Sequence, residues 1–183
     1  MNQPSFNPNG PINQRSPNRN RVVTDFYDPG STIKPFTAMA ALESGLYQSE
    51  SPINTSPGYF WVDNKMIQDP INLSTITLAE AIQKSSQVAI AKVALELPRD
   101  AVFDVLQRSG LGDYVGTGLP GEVVGLFSNV GAQSRVSRTA MAYGYGFTVT
   151  PLQLASAYAT LAGYGSRLPV SILKQDRKPE PEQ

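Results

Sequence analysis

The chain has 183 residues, 40% of them hydrophobic, which suits one domain, or part of one, with a hydrophobic core. Fifteen Lys and Arg balance fifteen Asp and Glu, so no net field draws in nucleic acid or an anionic membrane, and no nucleic-acid partner is expected. With no His and no Cys, the Ser-His-Asp triad, His-ligated metal, disulfides and thiolate catalysis are excluded, and a general base must be Lys, Asp, Glu or Tyr.

In chain order, residues 1–20 are rich in Asn and Pro with few apolar groups, and read as a flexible lead-in. No stretch approaches the roughly 20 apolar residues of a membrane-spanning helix, and polar residues follow Met1, so no export signal or anchor is expected. Arg21 to Phe26 reads as a short strand or extended segment, and Asp28-Pro29-Gly30 as a turn. A helix should follow, capped by Ser31, with Pro35 in its first turn and Gly45 at its end. Gly58–Trp61 and Lys65–Gln68 can pair as a hairpin across Val62-Asp63-Asn64.

Thr77 with Glu80 predicts a capping box opening a helix through Ile82 and Lys84. Ser85-Ser86 offers a second cap before the apolar run Val88–Leu97, which Pro98 stops. Asp100–Ser109 carries Val102, Val105 and Leu106 on one helical face and ends at Gly110. Leu111–Val136 reads as loop. Thr150-Pro151-Leu152-Gln153 combines an N-cap, a proline at the first helical position and a capping-box Gln, ahead of a stripe of Leu154, Ala155, Tyr158 and Leu161. Residues 176–183 read as a disordered tail.

Ser31-Thr32-Ile33-Lys34 puts a hydroxyl and an amine at i and i+3, on one face of a first helical turn and within hydrogen-bonding reach. Serine is a poor nucleophile until a base takes its proton, and a lysine shifted toward neutrality by burial can be that base. Free backbone N–H groups at the helix start could stabilise an oxyanion. An isolated Ser-x-x-Lys is more often a cap followed by a solvated lysine, so the surroundings decide.

Those surroundings are specific. Arg21 through Phe36, containing Asp28-Pro29-Gly30-Ser31-Thr32-Ile33-Lys34-Pro35, resembles the nucleophile region of class B penicillin-binding proteins of the division type. Asn2 to Asn9, Thr117-Gly118-Leu119-Pro120-Gly121-Glu122, and Tyr143-Gly144-Tyr145-Gly146 through Thr150-Pro151-Leu152-Gln153-Leu154-Ala155 resemble further segments of that family, in its order. The resemblance implies a partial penicillin-binding transpeptidase domain over 21–175. Its fold would be a serine β-lactamase/transpeptidase-like α/β domain with a helical subdomain, of which this piece is mostly α with loops.

By resemblance Ser31 is the nucleophile, Lys34 its base, and Ser85 a proton relay in the Ser-x-Asn motif. Gln87 stands where that motif has Asn, keeping the amide that would hold the acyl chain but adding a methylene. Lys-Thr-Gly, the third motif, occurs nowhere in the sequence, so the chain is expected to end before the domain is complete. The implied activity is D-alanyl-D-alanine transpeptidation in peptidoglycan cross-linking, with covalent penicillin binding and no metal or organic cofactor. Implied partners are peptidoglycan stem peptides, β-lactams and, for the parent protein, membrane proteins of the division complex, at the inner membrane with a periplasmic domain. A catalytically inert truncated module and a serine β-lactamase or β-lactam sensor remain as alternatives. Tyr59, Phe60, Trp61, Tyr143 and Tyr145 are assigned to packing or partner surface.

Overall fold

Helix α4, Gln87–Glu96, lies at the centre: Val88, Ala89, Ile90, Ala91, Val93 and Ala94 are all buried, so most of the helix circumference is apolar, with a polar strip at Lys92 and Glu96. Around it the computed structural model, which describes residues 20–127, 134–174, 176 and 180, is mostly helix and loop, as expected from the sequence. Apart from Asn20, Asp176 and Glu180, the expected lead-in and tail fall outside the described residues.

The chain enters through α1, Arg21–Thr24, then a 3-10 helix at Gly30–Ile33 that runs into α2, Lys34–Glu43. Strands β1 (Pro52–Asn54) and β4 (Thr75–Thr77) pair antiparallel, Ile53 opposite Ile76, and enclose the hairpin of β2 (Tyr59–Val62) and β3 (Lys65–Gln68), Phe60 opposite Ile67. Helices α3 (Leu78–Gln83), α5 (Ala101–Arg108), α6 (Arg135–Ala142) and α7 (Pro151–Ala162) complete the described elements. Ile33, Phe36, Val88, Ile90, Leu106, Leu111 and Phe147 anchor one core. Each such side chain contributes about 1.5–3 kcal/mol relative to exposure.

Both predicted capping boxes form. Thr77 Oγ1 accepts from Glu80 N at 3.1 Å while the Glu80 carboxylate accepts from Thr77 N at 2.9 Å, and Thr150 and Gln153 repeat the arrangement. Ser86 caps α4 by accepting from Ala89 N at 2.9 Å, and the predicted hairpin turns at Asp63, whose φ is +53°.

Four readings are corrected. The extended segment expected at Arg21–Phe26 begins as a helical turn, because Asn20 Oδ1 accepts from Val22 N and Val23 is buried; pairing as β structure starts only at Tyr27. Ser31 does not cap a helix: it lies within the 3-10 turn, and α2 starts at Lys34. The loop expected through Val136 gives way to α6, capped by Ser134. Arg138 turns inward there and donates to Ala94 O and Leu97 O, each at 3.0 Å, closing the C-terminal end of α4. In α7 the fully buried face is Gln153, Ala157 and Thr160 rather than the expected stripe. Gln153 faces inward because its Nε2 donates to Asp113 O at 2.7 Å, whereas Ala155 and Tyr158 are exposed.

Candidate active site

Three segments hold the turn that carries Ser31. Tyr27 exchanges two backbone hydrogen bonds with Val149, at 3.1 and 3.0 Å, and Gly30 N donates to Gly144 O at 2.8 Å. This contact requires glycine on both sides. Gly30 has φ +58°, and a Cβ on Gly144 would lie 1.9 Å from Gly30 O. From α7, Tyr158 Oη donates to Thr32 O at 2.7 Å and its ring meets Phe36 edge-on at 5.2 Å. From α2, Thr37 Oγ1 donates to Ala142 O at 2.7 Å. Ser31 itself stays exposed.

Lys34, three residues on, is buried at 2% exposure. Its Nζ donates to Ser85 Oγ at 3.0 Å and also to Ser85 O. The structure thus joins two of the residues singled out from the sequence across 51 positions. The Lys34 backbone N–H donates to Ser31 O within the 3-10 turn, while the side-chain amine is turned toward Ser85. Burial lowers the lysine pKa from 10.5 to about 8, against the Asp69 charge, which raises it. Ser85 adopts φ +55°, a left-handed conformation that costs a non-glycine residue about 1–3 kcal/mol and persists where the surroundings impose it.

Gln87 opens α4 and is partly buried. With Lys65, Met66, Ile67, Tyr143 and Tyr145 it lines a groove of about 240 Å³. Tyr145 links this groove to the turn that carries Ser31, since its hydroxyl is 3.9 Å from where a Cβ on Gly30 would be. Larger hollows, of about 420 Å³ beside Glu43, Arg99 and Arg108 and about 470 Å³ beside Tyr47, Asn54 and Lys92, include none of Ser31, Lys34, Ser85 and Gln87 in their linings. No cluster of three or more metal-ligating side chains occurs among the described residues.

The whole chain, residues 1–183, matches the family model of the penicillin binding protein transpeptidase domain. The chain belongs to that transpeptidase family. It is 42% identical over 176 residues to the peptidoglycan D,D-transpeptidase FtsI of Escherichia coli K12, covering 96% of this chain and 30% of that protein. It is 35% identical over 181 residues to the probable peptidoglycan D,D-transpeptidase PenA of Neisseria flavescens, covering 98% and 45%. The chain therefore spans less than half the length of these relatives. Among solved structures, the transpeptidase domain of Burkholderia pseudomallei penicillin-binding protein 3 superposes with TM-score 0.85 at 34% identity, covering 90% of this chain and 50% of the other. With its small open sheets, the described part is consistent with the helical subdomain of the transpeptidase/β-lactamase-like fold.

Sequence reading missed two residues of this candidate site. Tyr158 appeared only as a member of an apolar stripe, and its hydroxyl has no sequence signal pointing to Thr32. Asp69 is the larger omission: it is 8% exposed, and its carboxylate accepts from Ser86 Oγ, Gln87 N and Val88 N. Only the hairpin brings it to the start of α4.

Proposed function

We propose that this chain carries the acylating residues of a peptidoglycan D,D-transpeptidase. Ser31 Oγ attacks the carbonyl carbon of the penultimate D-alanine of a stem peptide, and neutral Lys34 accepts its proton. Ser85 Oγ passes a proton to the departing nitrogen, so the C–N bond breaks, D-alanine leaves as a free amine and an ester remains on Ser31. The amine of a second stem peptide then takes the acyl group and Ser31 recovers its proton. Gln87 offers its side-chain amide to the acyl chain along the groove with Tyr143 and Tyr145. A β-lactam meets the same nucleophile and leaves the same ester linkage.

One observation carries this reading: a buried lysine with a pKa lowered to about 8 sits 3.0 Å from the hydroxyl of Ser85 and three residues after an exposed serine. At neutral pH a usable fraction of that amine is unprotonated, which a solvated lysine does not provide. The names of the E. coli and Neisseria relatives describe the same reaction class. A parent protein at the inner membrane, with this domain in the periplasm and division proteins as partners, belongs to the same proposal. No helix among the described residues is long and apolar enough to cross a membrane.

Fluorescent penicillin, denaturing electrophoresis and peptide mapping test the reading. A stable adduct on Ser31 that disappears in Ser31→Ala supports it. An adduct elsewhere, or none, overturns it in favour of an inert module, and rapid catalytic turnover of nitrocefin would make the protein a β-lactamase instead.

A further inference from the structure

We infer that Asp69 is a positioning residue that sets Ser85 against Lys34 by clamping the first turn of α4. For its catalytic consequence the inference rests on the function proposed above; for its geometry it rests on three hydrogen bonds. Asp69 Oδ2 accepts from Ser86 Oγ at 2.5 Å, and Oδ1 accepts from Gln87 N at 2.6 Å and Val88 N at 3.2 Å. The two amides are among the first N–H groups of α4, which have no partner within the helix. Ser86 Oγ meanwhile accepts from Ala89 N, so its hydroxyl is committed on both sides.

Asp69 is itself fixed. It follows β3 directly, and its own N–H donates to Gly58 O at 2.9 Å, so the β2–β3 hairpin delivers the carboxylate to the helix start. The consequence falls on Ser85, the residue just before the clamp. With Ser86 and Gln87 held, Ser85 keeps φ +55° and turns both its carbonyl and its hydroxyl to Lys34 Nζ. Released from the clamp, Ser85 would relax toward negative φ, and one or both acceptors would swing off the amine.

The Asp69 carboxylate also acts on Lys34 by charge, opposing the lowering imposed by burial. Charged groups on the elements packed against α2 are engaged elsewhere. Glu80 of α3 pairs with Lys84 just beyond its end, and in α4 Lys92 bonds Asn54 O and Glu96 bonds Tyr47. Arg108 of α5 pairs with Glu43, and Asp104 opens onto the hollow beside Arg99. Burial raises the Tyr143 hydroxyl above the ordinary tyrosine value, away from the lysine's range.

Three substitutions in the full chain separate charge from position. Asp69→Asn removes the charge and keeps one acceptor oxygen, Asp69→Glu keeps the charge and moves it, and Ser86→Ala deletes one of the three bonds. The readouts are the pH profile of the second-order rate of Ser31 labelling by fluorescent penicillin, and the NMR titration of the Lys34 ε-methylene. Asp69→Asn is expected to lower the plateau rate on the order of tenfold to a hundredfold, and to move both the acid limb and the Lys34 midpoint to lower pH. Asp69→Glu and Ser86→Ala should lower the plateau while leaving the limb near its original pH. Should Asp69→Asn not fold, those two variants carry the test through their plateaus. Wild-type plateaus in the variants that fold, or a fall in Asp69→Asn with limb and midpoint unmoved, overturns the inference. A wild-type chain that never labels at Ser31 sinks the functional reading instead, while the Lys34 midpoint still decides the role of Asp69.

Discussion

Lys34 Nζ and Ser85 Oγ meet at 3.0 Å inside a site where the lysine is 2% exposed and its pKa is lowered to about 8. Between pH 8 and the unfolded value of 10.5 the unfolded chain holds a proton on Lys34 that the folded chain has given up, so this group makes stability rise with pH in that window. Above about pH 10 the half-buried Tyr47, whose pKa is raised by burial and by Glu96, works in the opposite direction. Urea midpoints from pH 8 to 10 should therefore climb more steeply for the wild type than for Lys34→Met. Parallel curves would show that Lys34 titrates as an ordinary surface lysine.

Gly144 and Gly146 give contrasting outcomes for the same substitution. Alanine at 144 would drive a Cβ to 1.9 Å from Gly30 O at φ +88°, forcing apart the two segments that support the Ser31 turn. Alanine at 146, with φ +83° and nothing within 4 Å, meets only backbone strain. Gly144→Ala should cost about 3 kcal/mol or more and Gly146→Ala about 1–2 kcal/mol. Chemical denaturation of both variants checks the difference.

How much of this was legible in sequence depended on distance along the chain. Both capping boxes, the hairpin and the Ser86 cap rest on contacts within a few residues, and each was read correctly. Helix α6 was missed because Arg138, polar by type, faces inward to the carbonyls of α4, an arrangement created by packing. Its neighbour in error, the α7 stripe, went wrong because a buried Gln153 finds its partner 40 residues away at Asp113. Ser31, Lys34, Ser85 and Gln87 were singled out by motif spacing and family resemblance, and of these the structure brings the side chains of Lys34 and Ser85 together. Asp69 carries no local signal, since its partners begin 17 residues later.

Glu122 organises the loop before α6. Burial alone would raise its pKa, but bonds from Thr117 Oγ1 at 2.6 Å and from the backbone N–H groups of Gly116, Thr117 and Val115 outweigh that and lower it. A lowered carboxylate pKa gives stability that is present above the unfolded value and lost as pH falls through the folded one. Glu122→Gln should remove about 1.5–3 kcal/mol at neutral pH and flatten the acid side of the stability profile. Hydrogen exchange at Val115, Gly116 and Thr117 should rise first. Unchanged protection at those three amides would mean that the carboxylate does not hold the loop.

The backbone of Gln87 is fixed by the Asp69 carboxylate, so the reach of its side-chain amide is set by the length of the side chain alone. Where the family motif has Asn, Gln87 is one methylene longer, and its amide must sit further into the groove with Tyr143 and Tyr145 or fold back at a rotamer cost. An acyl-chain carbonyl placed for Asn would then be held off its best position by about 1 Å, a misplacement worth on the order of a hundredfold in rate. Gln87→Asn should thus accelerate Ser31 acylation by fluorescent penicillin. Stability should change little, because the first turn of α4 accepts Asn and the Asp69 bonds to the backbone remain. Measuring the labelling rate against penicillin concentration separates weaker grip from slower chemistry: relief of a misplaced amide raises the limiting rate, whereas a better-filled groove lowers only the half-saturating concentration. An equal or slower limiting rate in Gln87→Asn would mean that this groove is built around glutamine, with Lys65 and Met66 set back to receive the longer side chain.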